Sequence, residues 1–372
     1  MHIVFVHYYY DEDLASYRDL FARYQTTVDW ANMMRDSGAQ VTVAHRYRET
    51  VYLEKEGVTY AFIADPFGGR LRGYQLPVAM HRYIAALKPD IIHINGLIFP
   101  YQTMALKQQL PNVPVVVQHH AEKPFHGWRR WLQRWGLRQV DAFFFTGTGM
   151  VAPYQEARII AHSTPVYAVL ENSTHFRYAE RAPNRRISHL SGNPIFLWVG
   201  NLTENKDPLT VLEGFDRLLA DQPAAHLYMI YKDETLLKPV HALIDRSPRL
   251  TRAVTLLGHI QHNQMECYYN SADFFVLGSH YEGSGYALIE ALACGVIPIV
   301  TRIPSFRWIL QNHGYLWTPG DPNSFQDAAK RALRRSISED SRQIARYFQS
   351  QLSFSQLGQT VTRIYQHLIQ HG

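Results

Sequence analysis

The chain has 372 residues, with 37 lysines and arginines against 32 aspartates and glutamates, a formal net charge of +5. At roughly 150 residues per domain this length predicts two domains, and with 46% apolar and 19% charged residues the chain is too apolar for a disordered polyelectrolyte. Its two cysteines, Cys267 and Cys294, exclude a disulfide framework or a cysteine-rich zinc site, so a reducing, cytoplasmic compartment is the simplest expectation.

Met1-His2 runs directly into Ile3-Val4-Phe5-Val6 without a basic leader or a small-residue cleavage site, so no signal peptide is expected. Nor does any stretch reach the roughly 18 uninterrupted apolar residues of a membrane span. From there, short apolar runs alternate with longer amphipathic stretches. Strands are predicted at residues 3–6, 41–44, 60–63, 91–94, 115–117 and 142–145, each β-branched or aromatic, as strands buried on both faces should be. Helices are predicted between them, for example over 26–36, stopped by Ser37-Gly38, and over 77–87, stopped before Pro89. Residues 180–186 and 191–194 are polar and rich in breakers and read as part of a linker. Alternation then resumes with strands at 195–199, 227–230, 254–257, 274–277 and 297–300, and residues 357–368 carry apolar side chains at helical spacing. The expected class is α/β: two doubly wound parallel sheets with right-handed crossovers. The expected boundaries are 1–178 for the first domain, completed by a last helix over about 353–372, 179–194 for the linker and 195–352 for the second domain.

Doubly wound sheets bind ligands beyond the carboxyl ends of their strands, and two such domains facing each other would make a cleft. The richest strand-end segment is Ser279-His280-Tyr281-Glu282-Gly283-Ser284-Gly285-Tyr286-Ala287, running on to Glu290 and Gly295. Its glycines let backbone approach a ligand, and a helix from Tyr286 to Cys294 would aim the amides of Gly285, Tyr286 and Ala287 at an anion such as a phosphate. Glu282 and Glu290 flank that point. Each carboxylate can accept two hydroxyls, so the pair could grip the ribose and sugar of a nucleotide sugar, whereas the bland reading of Glu290 is a solvated helix glutamate. In the first domain, His119-His120 end a strand, where a histidine can act as acid, base or hydrogen-bond donor. Strand alternation leaves open which of the two is presented, although the spacing from Pro114 favours His120. His93 ends another strand. Gly147-Thr148-Gly149 lacks the third glycine of a dinucleotide fingerprint, and no His or Cys spacing on a plausible helix suits a metal.

The segment from Glu282 through Glu290 to Gly295-Val296-Ile297-Pro298 resembles the glutamate-pair motif of the retaining GT-B glycosyltransferases of family 4. Val199-Gly200-Asn201-Leu202-Thr203-Glu204-Asn205-Lys206 is similar to that family's first strand and loop in the donor domain, Leu257-Gly258-His259 to a later strand end, and Glu171-Asn172-Ser173 to the approach to its linker. The resemblance covers the second domain well and the first weakly. It implies a GT-B fold whose last helix crosses back to the first domain, and a nucleotide-sugar site in the second. By resemblance, Glu282 would contact the donor sugar, Glu290 the ribose and Lys206 the diphosphate. The amides of Gly285, Tyr286 and Ala287, with Gly283 and Ser284 in the same loop, would bind the distal phosphate. Gly258 and His259 would line the base, Gly200 and Asn201 would border the phosphates, and His120 would stand beside the donor sugar. No metal or cofactor is implied beyond the donor itself. Three departures bear on donor and acceptor identity. Asn201 stands where the family usually has arginine, Ser284 replaces an aromatic residue, and the loop after the first strand reads Tyr8-Tyr9-Tyr10-Asp11 without glycine. Those tyrosines could stack on acceptor sugars or simply pack.

The expected reaction is transfer of a sugar, with retention, from a nucleoside diphosphate sugar to a hydroxyl of a glycan, lipid-linked or small-molecule acceptor, in glycan biosynthesis. The alternatives are a GT-B-like epimerase or phosphorylase, or a degenerate nucleotide-sugar-binding protein. One stretch stands apart: from Trp128 to Arg138 there is no acid, and Trp128, Trp131, Leu132 and Trp135 share a helical stripe. The expected packing lays this stripe on the first domain's sheet with the arginines solvated. The other reading is a peripheral contact with the inner face of a membrane through Trp128, Arg129, Arg130, Trp131, Arg134 and Trp135. No nucleic acid partner is expected.

Overall fold

A computed structural model describes residues 1–13 and 16–371, without the side chains of Ala22 and Thr148. The chain divides into two compact units, Met1–Asn172 with Phe354–Gly372, and Ser173–Ser353.

The first unit is built on eight strands: β1 (His2–His7), β2 (Gln40–Tyr47), β3 (Val51–Lys55), β4 (Val58–Ala64), β5 (Ile91–Asn95), β6 (Val115–Gln118), β7 (Ala142–Phe145) and β8 (Val166–Ala168). They lie in the order β3-β4-β2-β1-β5-β6-β7-β8, all parallel except for the β3–β4 pair. The central strands are the predicted apolar runs, and helices lie between them in sequence. The antiparallel edge strand β3 was not anticipated. Its side chains alternate between half-buried and exposed, and its turn is Glu56-Gly57, both at positive φ (54° and 74°), as a two-residue hairpin of the primed type requires. The helix Phe354–His371 belongs to this unit, crossing back to it after the second unit. Gly358 packs so closely on the helix Gln25–Asp36 that a Cβ there would meet Ser37 Oγ at 2.5 Å. Tyr365 Oη reaches Nδ1 of the fully buried His93, whose Nε2 meets Gln118 Oε1 at 3.0 Å. His93 is therefore a core histidine, and burial holds its pKa down at about 3.

The tryptophan stripe departs from expectation. The helix Trp128–Leu137 buries Gln133, Gly136 and Leu137, not its tryptophans. Gly136 permits the contact, since a Cβ there would lie 2.4 Å from the Pro100 carbonyl oxygen, and Gln133 is held by Leu97 O and Phe125 N at 2.9 Å each. Trp128 and Trp131 are 74% and 68% exposed.

The second unit has six parallel strands, β9 (Ile195–Val199), β10 (His226–Ile230), β11 (Val254–Gly258), β12 (Phe274–Leu277), β13 (Ile297–Thr301) and β14 (Tyr315–Trp317), in the order β11-β10-β9-β12-β13-β14. The order reverses between β9 and β12, the switch point at which such sheets bind ligands. Residues expected to be linker hold a helix, Arg181–Ser188, on this unit. Its arginines make the segment look solvated. Arg181 and Arg185, however, both pair with the buried carboxylate of Asp273, at 3.1 and 2.7 Å. That partner lies some ninety residues away in sequence, so local composition carries no sign of it.

Candidate functional site

In the second unit, the loops after β9 and β12 meet at the switch point. Gly278 makes the approach possible, because a Cβ there would stand 2.7 Å from Asp207 O and 3.0 Å from Lys206 O. Asn205 ties the loops together, donating to Tyr281 O at 2.9 Å and accepting from Tyr281 N at 3.1 Å, while His280 N donates to Asn205 O at 2.8 Å. Asp207, at φ 43°, caps the helix Pro208–Leu218 by accepting from Thr210 N and faces His280 Nε2 at 3.1 Å. This frame brings Lys206 Nζ onto Glu282 Oε1, an ion pair whose side chains are 23% and 12% exposed. Ser279 Oγ donates to the same oxygen at 2.6 Å.

The helix Tyr286–Ala293 starts beside this cluster. Gly285, its N-cap, sits in the left-handed region at φ 65°, and a Cβ there would lie 2.5 Å from Phe306, so only glycine fits. The first amides of any α-helix have no partner within the helix, which gives that end affinity for anions. Gly283 and Ser284 are buried in the loop, whereas Tyr286 is 41% exposed. Glu290 lies one turn into the helix, 15% exposed, receiving Tyr269 Oη on Oε2 at 2.9 Å and His262 Nε2 on Oε1 at 2.8 Å. Burial and the Glu290 charge push the Tyr269 phenol well above its ordinary pKa, so it stays a donor. Nothing in the sequence assigned a site role to Gly278, Ser279, Tyr269 or His262; Ser279 lies in the same loop as Glu282, whereas Tyr269 and His262 become neighbours of Glu290 only in the folded unit. At the rim, Asn201 Oδ1 accepts from Asp233 N at 3.4 Å, Gly200 N donates to Ile230 O at 3.1 Å, and β11 ends in Gly258 (φ 68°) and the exposed His259.

In the first unit the pair His119-His120 separates by burial. His119 is buried and stacks on Phe145 at 4.7 Å, and its Nε2 meets Glu122 O. His120, about a quarter exposed, makes two bonds: Nδ1 to Glu171 Oε1 at 2.7 Å and Nε2 to Asn95 Oδ1 at 2.9 Å. Asn95 Nδ2 in turn faces His7 Nε2 at 3.2 Å. A carboxylate only accepts, so Nδ1 carries hydrogen. With the Asn95 amide nitrogen facing His7, its oxygen faces Nε2 of His120, an arrangement that favours the protonated imidazolium. Burial opposes that charge, but the hydrogen bond and charge of Glu171, helped by Glu122, outweigh it and raise the pKa above 6.5. His7 moves the other way, held well below its ordinary value by burial and by His45, His120 and His93. Tyr8, in the tyrosine run left open between stacking and packing, is buried against His81, with Oη to Nε2 at 2.9 Å. Among the described residues, no group of three or more His, Cys, Asp and Glu side chains is placed to hold a metal ion.

Two family models match the chain: residues 180–351 that of "Glycosyl transferases group 1", and residues 25–166 that of "Glycosyl transferase 4-like domain". The GDP-mannose:cellobiosyl-diphosphopolyprenol alpha-mannosyltransferase of Xanthomonas campestris is 28% identical over 248 residues, 62% of this chain and 60% of that protein. The glycogen synthase of Mycobacterium tuberculosis is 26% identical over 229 residues, 58% of this chain and 52% of that protein. The chain thus spans between half and two thirds of the length of these relatives. Among solved structures, the sucrose-phosphate synthase of Thermosynechococcus elongatus superposes with a TM-score of 0.71 over all of both chains at 19% identity, a likeness of fold.

Proposed function

Given a chain built from the paired Rossmann-like domains of the GT-B glycosyltransferases, the second of the group 1 type and the first family-4-like, we propose that it transfers a sugar from a nucleoside diphosphate sugar to a hydroxyl acceptor, with retention of anomeric configuration. The observation that carries this reading is the cluster at the switch point of the second unit: a lysine and a carboxylate paired at the start of an α-helix, with a second carboxylate one turn along it. A nucleoside diphosphate supplies the matching groups, namely two phosphates for the ammonium and the helix start and vicinal ribose hydroxyls for the second carboxylate. The curated relatives named above are a mannosyltransferase and a glycogen synthase, which favours transfer over epimerisation, phosphorolysis or mere binding.

In this mechanism Lys206 and the amides of Gly285, Tyr286 and Ala287 stabilise the charge that builds on the departing diphosphate. Gly283 and Ser284 shape the loop, Glu290 holds the ribose, Gly258 and His259 border the base, and Gly200 and Asn201 border the phosphates. When phosphate takes Lys206, Glu282 is released to accept sugar hydroxyls. The acceptor hydroxyl attacks the anomeric carbon on the face the diphosphate leaves, through an oxocarbenium-like transition state in which the bond to the diphosphate oxygen breaks and the hydroxyl proton passes to that departing oxygen. His120, oriented by Glu171 and Asn95, serves as a hydrogen-bond donor to the sugar. The reaction uses no metal, and the enzyme works on the cytoplasmic side.

Thermal unfolding with UDP, GDP, ADP, CMP and dTDP tests the donor. A nucleotide at about 100 times its Kd adds roughly 2.7 kcal/mol, a clear rise in midpoint. NMR of the product formed from the matching sugar donor then reads the anomeric configuration. Indifference of the folded protein to all five nucleotides defeats the proposal, and an inverted product defeats its stereochemistry.

A further inference from the structure

The mechanism proposed above makes no use of the exposed tryptophans of the first unit. On the helix Trp128–Leu137 the buried arc is Gln133, Gly136 and Leu137, so the opposite arc faces solvent. Trp128 and Trp131 lie exposed on that arc with the half-buried Trp135 in line behind them, Trp131 and Trp135 stacked at 6.3 Å and 4° between planes. Arg130, Arg134 and Arg138, spaced four apart, run along its edge, and all three are exposed. Residues 123–140 contain one lysine and four arginines and no acid, a charge of +5 equal to the formal net charge of the whole chain. Beside the helix opens a cavity of about 750 Å³, lined by Trp131, Arg134, Trp135 and Arg138 and, from the following segment, by Arg158 and His162. Glu156 also lines it. Keeping two large indoles in water beside this concentration of positive charge has no use in packing. Indole rings settle at the boundary between headgroups and acyl chains, and arginines bind the phosphates just outside it.

We propose that the helix Trp128–Leu137 and the adjoining cavity form a docking face for a bilayer of anionic phospholipid, with Trp128 and Trp131 inserted at the interface and the arginines on the lipid phosphates. Among the described residues no helix is long and apolar enough to cross a membrane, so this contact lies on the surface. It holds whatever sugar the protein handles.

Flotation of the full chain with vesicles tests it, comparing pure phosphatidylcholine with a mixture containing about one third phosphatidylglycerol. The chain should float with the anionic vesicles, stay behind with the neutral ones, and be released in about 1 M salt, where the screening length is near 3 Å. An arginine near an anionic surface changes partitioning about fivefold, so replacing Arg130, Arg134 and Arg138 together by glutamine should weaken it roughly 100-fold. Trp128→Ala with Trp131→Ala should weaken it at least about tenfold through lost apolar burial. All five side chains are exposed, and unchanged circular dichroism and unfolding midpoint verify folding. Failure to float with anionic vesicles at low salt overturns the proposal. So does undiminished flotation of both variants, and so does binding to a single-stranded oligonucleotide without binding to vesicles, which would assign the face to nucleic acid. Nucleotide binding measured on the same variants should be unchanged, so this outcome is independent of the donor assignment.

Discussion

Because Lys206 is already held by Glu282, an incoming diphosphate must compete with a carboxylate for the ammonium. Glu282→Gln should therefore abolish transfer and at the same time tighten nucleoside diphosphate binding. Both side chains are mostly buried, so the pair exceeds the roughly 0.2–1 kcal/mol of a fully exposed ion pair, and a hydrogen bond to a charged group contributes about 1.5–3 kcal/mol. The neutral amide retains part of that bond, which leaves about 1–2 kcal/mol to be recovered, or a Kd lower by roughly 5- to 30-fold. Isothermal titration with the nucleotide that best stabilises the protein measures it directly. Lys206→Met should weaken the same nucleotide at least about tenfold. Adding Glu282→Gln to Lys206→Met should gain little, because the competed cation is gone, and this non-additivity is the signature of direct competition. A Kd for Glu282→Gln that is unchanged or weaker would refute the reasoning, as would gains that add independently of Lys206.

Further outcomes follow from single contacts. Glu171→Gln should lower the pKa of His120, read from its imidazole ¹⁵N shifts. Because the folded pKa of His120 is raised, its contribution to stability is complete below its unfolded value of about 6.5 and is lost as pH rises through the folded value. The stability gap between wild type and Glu171→Gln should therefore close toward alkaline pH, as urea midpoints across the pH range would show. Gly285→Ala should cost about 2–4 kcal/mol, combining a left-handed backbone with overpacking against Phe306, and should lower the denaturant midpoint. Asp273→Ala removes the carboxylate that Arg181 and Arg185 share, leaving them only neutral acceptors, and should cost about 2–4 kcal/mol in the same measurement. Transfer activity, once assayed, should survive EDTA.

Much was legible in the sequence because its signals are local. The central strands of both sheets are uninterrupted β-branched and aromatic runs, so Ile91 to Ile94 or Phe274 to Leu277 declares itself wherever the chain goes. Glu282 and Glu290 share one loop and helix, and Gly285 sets the turn between them. Tertiary structure decided what depends on distant partners. Glu282 and Lys206 are 76 residues apart and pair only because β9 and β12 are neighbours, with Gly278 letting their loops touch. That His120 is the more exposed of the two histidines and is held by Glu171, 51 residues away, is likewise a tertiary fact. The helix Arg181–Ser188 reads as linker in sequence, because the partner of Arg181 and Arg185 is the distant Asp273. The tryptophan stripe is the sharpest case: helical periodicity put Trp128, Trp131 and Trp135 on one face, but which face turns to the core depended on the small Gly136 fitting against the Pro100 carbonyl. Periodicity specifies which side chains lie together, and close packing with a neighbouring element specifies which of them leave water.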